Sequence, residues 1–136
     1  MRKIEYLVVH TTATPQNTTV ESIKNYWKNN LKWKSPGYHI IIDKDGNLHR
    51  LSELAKPTNG AAGFNSVSLH VSYIGGIDKK GKPIDNRTDE QKASLIEVLT
   101  EWKRLFPNAK IVGHRDLGAK KACPCFNAIP EYAHIK

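Results

Sequence analysis

The order in which short apolar runs and amphipathic stretches follow one another constrains the fold of this chain most. Ile4 to Val9 reads as a buried strand ending at His10, and Thr11 to Asn17 as loop. Thr18 and Glu21 stand at capping-box spacing and predict a helix with Ile23, Tyr26, Trp27 and Leu31 on its apolar face. Ser35-Pro36-Gly37 breaks that helix. Tyr38 to Asp43 is a second strand, and Leu48 to Leu51 returns from a hairpin turn at Asp43-Lys44-Asp45-Gly46-Asn47. A loop from Ala55 to Ser66 leads into a strand from Val67 to Ile74, closed by Gly75-Gly76. A polar loop, Asp78 to Asp85, follows it. Thr88 and Gln91 form a second capping box, opening a helix that carries Leu95, Val98, Leu99, Trp102 and Leu105 inward and stops before Pro107. Lys110 to Gly113 is a last strand ending at His114. Loop follows, through Phe126, with room for one terminal helical turn. Strands and helices thus alternate, which predicts an α/β domain with a mixed central sheet flanked by helices. At 136 residues the chain fits one domain, residues 1–136.

Several classes are excluded. No apolar run is long enough to span a bilayer. The start, Met1-Arg2-Lys3-Ile4-Glu5, is a poor signal peptide and a good approach to a strand. With Met1 as the natural start, the protein is expected to be cytoplasmic as synthesised. No G-x-x-x-x-G-K or G-x-G-x-x-G motif supports nucleotide binding. The net charge of +8, from 21 basic and 13 acidic residues, favours a polyanionic partner without choosing among nucleic acid, anionic lipid and cell wall. Trp27 and Trp102 fall on apolar helix faces, which argues against stacking platforms for nucleic acid.

The chemistry-bearing residues gather at strand ends, where sites form in open α/β sheets. His10 ends the first strand, His114 ends the last, and Cys123 follows nine residues later. Side chains alternate along a strand, so two neighbouring strands can aim both imidazoles at one point. Cys123 and Cys125 are separated only by Pro124, and a disulfide between them would close a strained loop. Two close cysteines of this kind point to metal binding or catalysis. Imidazole and thiolate bind zinc at about 2.0–2.3 Å, and three protein ligands leave a fourth position for water. His39, His49, His70 and His134 have the same chemistry without that context and read as structural or surface residues.

Five segments in order resemble one family. They are Tyr6-Leu7-Val8-Val9-His10-Thr11-Thr12, Gly37-Tyr38-His39-Ile40-Ile41, Gly75-Gly76-Ile77-Asp78, Gly113-His114-Arg115-Asp116 and Lys121-Ala122-Cys123-Pro124. Together they are similar to the successive motifs of N-acetylmuramoyl-L-alanine amidases, the group of phage lysozyme-type amidases related to peptidoglycan recognition proteins. The resemblance implies a mixed sheet of five or six strands with zinc in an open groove. It also implies hydrolysis of the amide between N-acetylmuramic acid and L-alanine. His10, His114 and Cys123 match the zinc ligands, and Tyr38 and Lys121 the two catalytic positions. Bacterial peptidoglycan is then the expected partner, with no nucleic acid and no membrane, and the expected state is a monomer acting on the wall after release or export, as an endolysin does. A non-catalytic peptidoglycan-binding module of the same fold is the alternative.

Three positions stay open. Cys125 is a second candidate for the thiolate ligand and Asp116 a more remote one; Asp116 fits better as a residue holding the loop. Family members often carry a histidine in the loop before the A-x-G turn, where this chain has Gly60.

Overall fold

The computed structural model describes residues 2–136. Its five strands are β1 (Tyr6–Thr11), β2 (Ile40–Ile42), β3 (Leu48–Arg50), β4 (Ser68–Tyr73) and β5 (Lys110–Gly113). Its three α-helices are α1 (Val20–Asn29), α2 (Asp89–Leu105) and α3 (Ala128–Glu131). The strands form one sheet in the order β3-β2-β4-β1-β5. Only the β2–β3 hairpin is antiparallel; β2–β4, β4–β1 and β1–β5 are parallel. The expected mixed sheet flanked by helices is therefore what the chain forms.

The alternation of side chains along the strands separates two packing faces. Leu7 and Val9, Ile40 and Ile42, and Leu69, Val71 and Tyr73 join Leu95, Val98, Leu99 and Trp102 of α2 in the main core. On the other face Ile41 and Ile74 pack with Ile23 and Trp27 of α1. That second face also carries a buried polar row in β1 and β4: His10, Ser68, His70 and Ser72. His10, at the end of this row, lines a cleft together with Trp27 of α1.

Helix α2 begins as its sequence dictates. The Thr88 hydroxyl accepts from Gln91 N, and the Gln91 side chain accepts from Thr88 N. Such a cap is worth about 1 kcal/mol. The buried Gln91 amide does more, donating to Ile42 O (3.3 Å) and Ile74 O (3.0 Å) and so tying the helix start to the ends of two strands. At α1 the capping residue is Thr19, whose hydroxyl accepts from Ser22 N. Thr18 instead closes a turn by donating its backbone N–H to Pro15 O, which moves the helix start by one residue and leaves Glu21 unable to complete a capping box.

Three residues expected on apolar faces are exposed: Tyr26 (52%), Leu31 (39%) and Leu105 (44%). Ile23 and Trp27, one turn apart, are the buried residues that α1 packs on the sheet, with Val20 partly buried beside them. Leu31 lies past the helix end at Asn29, and Leu105 is the last residue of α2.

A second buried polar cluster anchors the C-terminal segment. The Arg87 guanidinium pairs with Asp85 (2.8 and 2.9 Å) and Glu131 (2.6 and 3.0 Å), donates to the Tyr132 hydroxyl (3.1 Å) and lies 3.4 Å above the Phe126 ring centroid.

Candidate metal centre and its cleft

Strand register brings the two histidines together. Val9 pairs with Gly113 in the parallel β1–β5 ladder, so the next residues, His10 and His114, stand side by side with ring centroids 4.7 Å apart. The third group arrives on the loop after β5, whose path is fixed at several points. Asp116 Oδ2 accepts from Gly113 N (2.8 Å), Arg115 N donates to Cys123 O (3.0 Å), and the buried Tyr73 hydroxyl donates to Pro124 O (2.7 Å). A Cβ at Gly113 would come within 2.7 Å of Pro124 Cδ, so glycine lets the loop close onto the strand. Cys123 Sγ then lies 3.8 Å from His10 Nδ1, and the ligand atoms of His10, His114 and Cys123 all fall within 4.8 Å of one another.

The other two candidates for the thiolate position are placed elsewhere. The Cys125 thiol points at Gly76 O (3.5 Å), and Asp116 is occupied in holding the loop. Among the described residues the group of metal-ligating side chains is His10, His114 and Cys123.

The electrostatics of this group suit a cation. Burial, then His70, His114 and Lys121, hold the His10 imidazole well below its ordinary value, and burial and Lys121 lower His114. Both rings are neutral and have a lone pair to offer. Burial pushes the Cys123 thiol up to about 12, although the Thr11 backbone N–H pointing at Sγ (3.2 Å) partly offsets this. A buried thiolate of this kind needs a positive ion in contact with it.

The group opens into a cleft of about 410 Å³ lined by Tyr38, Trp27, Trp33, Asn59 and Lys121. The Trp27 and Trp33 rings stack at 6.3 Å along one wall, so Trp27 serves the core and the cleft together. The Tyr38 ring centroid is 4.9 Å from that of His10, and its hydroxyl is 3.5 Å from Thr11 O. Burial, then the neighbouring Cys123 side chain, raise the Tyr38 phenol above its ordinary value, so Tyr38 is suited to donating a hydrogen bond and not to acting as a base. Lys121 is exposed and lies on a bend of the chain, not in a strand, yet its side chain lines the same cleft.

Sequence reasoning set His70 and His39 aside, and both belong to the surroundings of the site. His70 Nδ1 is 2.8 Å from His10 Nε2. His39 Nδ1 accepts from the backbone N–H of His70 (3.0 Å), and its Nε2 meets Lys56 O (2.8 Å). Burial is the main cause of their lowered values, to about 3 for His70 and about 4 for His39. Register brings His70 there: it pairs opposite Val8 and so shares the face of His10, a pairing that no local sequence signal marks.

Comparison with known proteins identifies the family and the fold. The profile of the N-acetylmuramoyl-L-alanine amidase family matches residues 1–126. An endolysin of Enterobacteria phage K11 is 38% identical over 121 residues, covering 88% of this chain and 79% of that protein. Among solved structures, the N-acetylmuramoyl-L-alanine amidase LysC from Clostridium intestinale superposes with a TM-score of 0.82 at 23% identity, over 99% of this chain and 88% of that one. The Drosophila peptidoglycan recognition protein PGRP-SA gives 0.79 at 15% identity, over 98% and 79%. The last two show the shared fold. The chain belongs to the N-acetylmuramoyl-L-alanine amidase family.

Proposed function

We propose that this protein is a zinc-dependent amidase of bacterial peptidoglycan, cutting between N-acetylmuramic acid and L-alanine, with His10, His114 and Cys123 holding the metal. The observation that carries the reading is the donor set: two neutral imidazoles and a buried thiol within 4.8 Å of one another at the base of an open cleft. Nitrogen and sulfur donors in this number fit zinc and leave a position free. Zinc, when bound, supplies a Lewis acid for the carbonyl and a water acidified toward neutrality.

The chain's own residues supply the rest. Lys121 offers an ammonium at the cleft for the negative charge that develops on the amide oxygen. The Tyr38 hydroxyl, kept protonated by burial, donates to the reacting oxygen or to the departing nitrogen. The Trp27–Trp33 wall gives a substrate an apolar surface on which to settle beside the reacting groups.

A digest of purified peptidoglycan, with and without chelator, tests this reading. Chelator-sensitive appearance of L-alanine amino termini without new reducing sugars is the expected result. New reducing ends would mean glycoside cleavage and would overturn it, and binding without any cleavage would favour a recognition module.

A further inference from the structure

One hydrogen-bonded chain leads from a surface turn to the metal-facing atom of His10, and its direction can be read atom by atom. The backbone N–H of Ala61 donates to Asn65 Oδ1 (2.8 Å). A backbone N–H can only donate, so the Asn65 atom it meets is the carbonyl oxygen. The same oxygen lies 3.1 Å from His70 Nε2, which must therefore carry a proton. In the neutral ring Nδ1 is then an acceptor, and it faces His10 Nε2 at 2.8 Å. His10 Nε2 must be the N–H, which leaves the lone pair of His10 on Nδ1. That atom faces Cys123 Sγ.

We infer that His70 is the positioning residue for the metal centre. It fixes the His10 imidazole in its ligating tautomer and orientation, with Asn65 setting the direction of the relay. Gly60 is part of the device. A Cβ at this position would overlap Cγ and Nδ1 of His70, so only glycine lets the His70 ring lie where it reaches His10. The gap left in the loop at Gly60 is filled from the sheet. The inference rests on the proposed metal reading for its purpose, but the direction of the relay is a property of the protein without metal. A metal ligand oriented this way by its second ring nitrogen gains affinity, and loss of such a partner weakens binding by about 10–100-fold.

Histidine-ring ¹H–¹⁵N spectra of the wild-type, metal-free protein give the first test. Protons on Nε2 of both His70 and His10 are expected; a His70 ring protonated at Nδ1 overturns the inference. Competition titration with a chromophoric chelator gives the second. His70→Ala should raise the zinc Kd by about 10–100-fold, and His70→Asn, whose carbonyl oxygen replaces Nδ1 as acceptor, should hold it within about threefold of wild type. Gly60→Ala, which keeps every histidine but displaces the His70 ring, should shift the Kd in the same direction as His70→Ala. A His70→Ala protein that folds and binds zinc as tightly as wild type overturns the inference alone. A wild-type protein that binds no zinc overturns the metal reading and leaves the spectra to decide the relay.

Discussion

Two buried polar clusters hold the segment from Cys123 to Phe126, and they settle their charges in opposite ways. At Phe126 the Arg87 guanidinium meets two carboxylates and a phenol in paired hydrogen bonds and lies on the aromatic ring. Every charge there has a partner supplied by the chain. At Cys123 two imidazoles and a thiol converge with no carboxylate in the group, and burial keeps all three neutral. Complete pairing makes the first cluster a clamp. The second is a set of neutral nitrogen and sulfur donors of the kind a cation site requires. On the proposed reading, the same fold uses buried polarity once for anchoring and once for binding.

The sharpest way to break this comparison is to remove the thiol. Cys123→Ala should abolish zinc binding and lower amidase activity by about three orders of magnitude or more, equivalent to about 4 kcal/mol of barrier. Cys125→Ala should keep bound zinc near wild type, since its thiol faces Gly76 O. Metal analysis and the peptidoglycan digest read both, and zinc retained by the Cys123→Ala protein would move the ligand elsewhere.

Removing the ammonium comes next. Lys121→Met should lower kcat by about 100-fold, in the range seen for loss of an oxyanion donor, with the zinc Kd unchanged. A loss of zinc alongside activity would make Lys121 part of the metal's surroundings and not of the reaction.

The clamp should respond in stability. Breaking a fully buried ion pair costs about 3–5 kcal/mol, and because Asp85 and Glu131 remain partly exposed about 2–3 kcal/mol is expected for Arg87→Ala. Denaturant midpoints measure it. Activity per folded molecule should be little changed if the two clusters are independent.

The effect that separates the clusters without mutation is pH. His39 and His70 titrate at about 4 and about 3 in the native protein, against an ordinary value near 6.5. Between these limits the unfolded chain takes up protons that the native state refuses, so stability of the metal-free protein falls as pH drops below about 6.5. The slope is up to about 1.4 kcal/mol per pH unit for each histidine. At Asp85 burial opposes ionisation, but the Arg87 hydrogen bonds outweigh it and leave the carboxyl below its ordinary value. Its contribution is complete above about pH 4 and is lost only as the pH falls further. Urea midpoints that stay flat from pH 6.5 to 4.5 would remove the histidine half of the contrast.

Much of this was legible in the chain because it is local. Apolar runs, turn residues and the Thr88–Gln91 cap announced the sheet and α2, and strand ends marked His10 and His114. What the chain hides is register. Nothing in the neighbourhood of His70 tells that Val8 will stand opposite it, so its contact with His10 across two strands could not be read locally. Cys123 and Cys125 differ only through the loop geometry set by Asp116, Arg115 and Tyr73. Tyr26 and Leu105 were expected inside because apolarity marks a face without showing how far the sheet extends beneath it.

The register that seats His10 beside His114 has a bearing on when the site comes into being. Cys123 lies 113 positions from His10, and the strand carrying His10 needs β4 and β5 as neighbours on its two sides. Contacts this distant in sequence form late, after the loop-closure entropy between them has been overcome. An emerging chain cannot assemble the proposed donor set until β5 and the loop carrying Cys123 have docked against β1. On the proposed reading, competence of the site is a readout of completed folding, and a chain stalled on the ribosome before residue 123 should be inert.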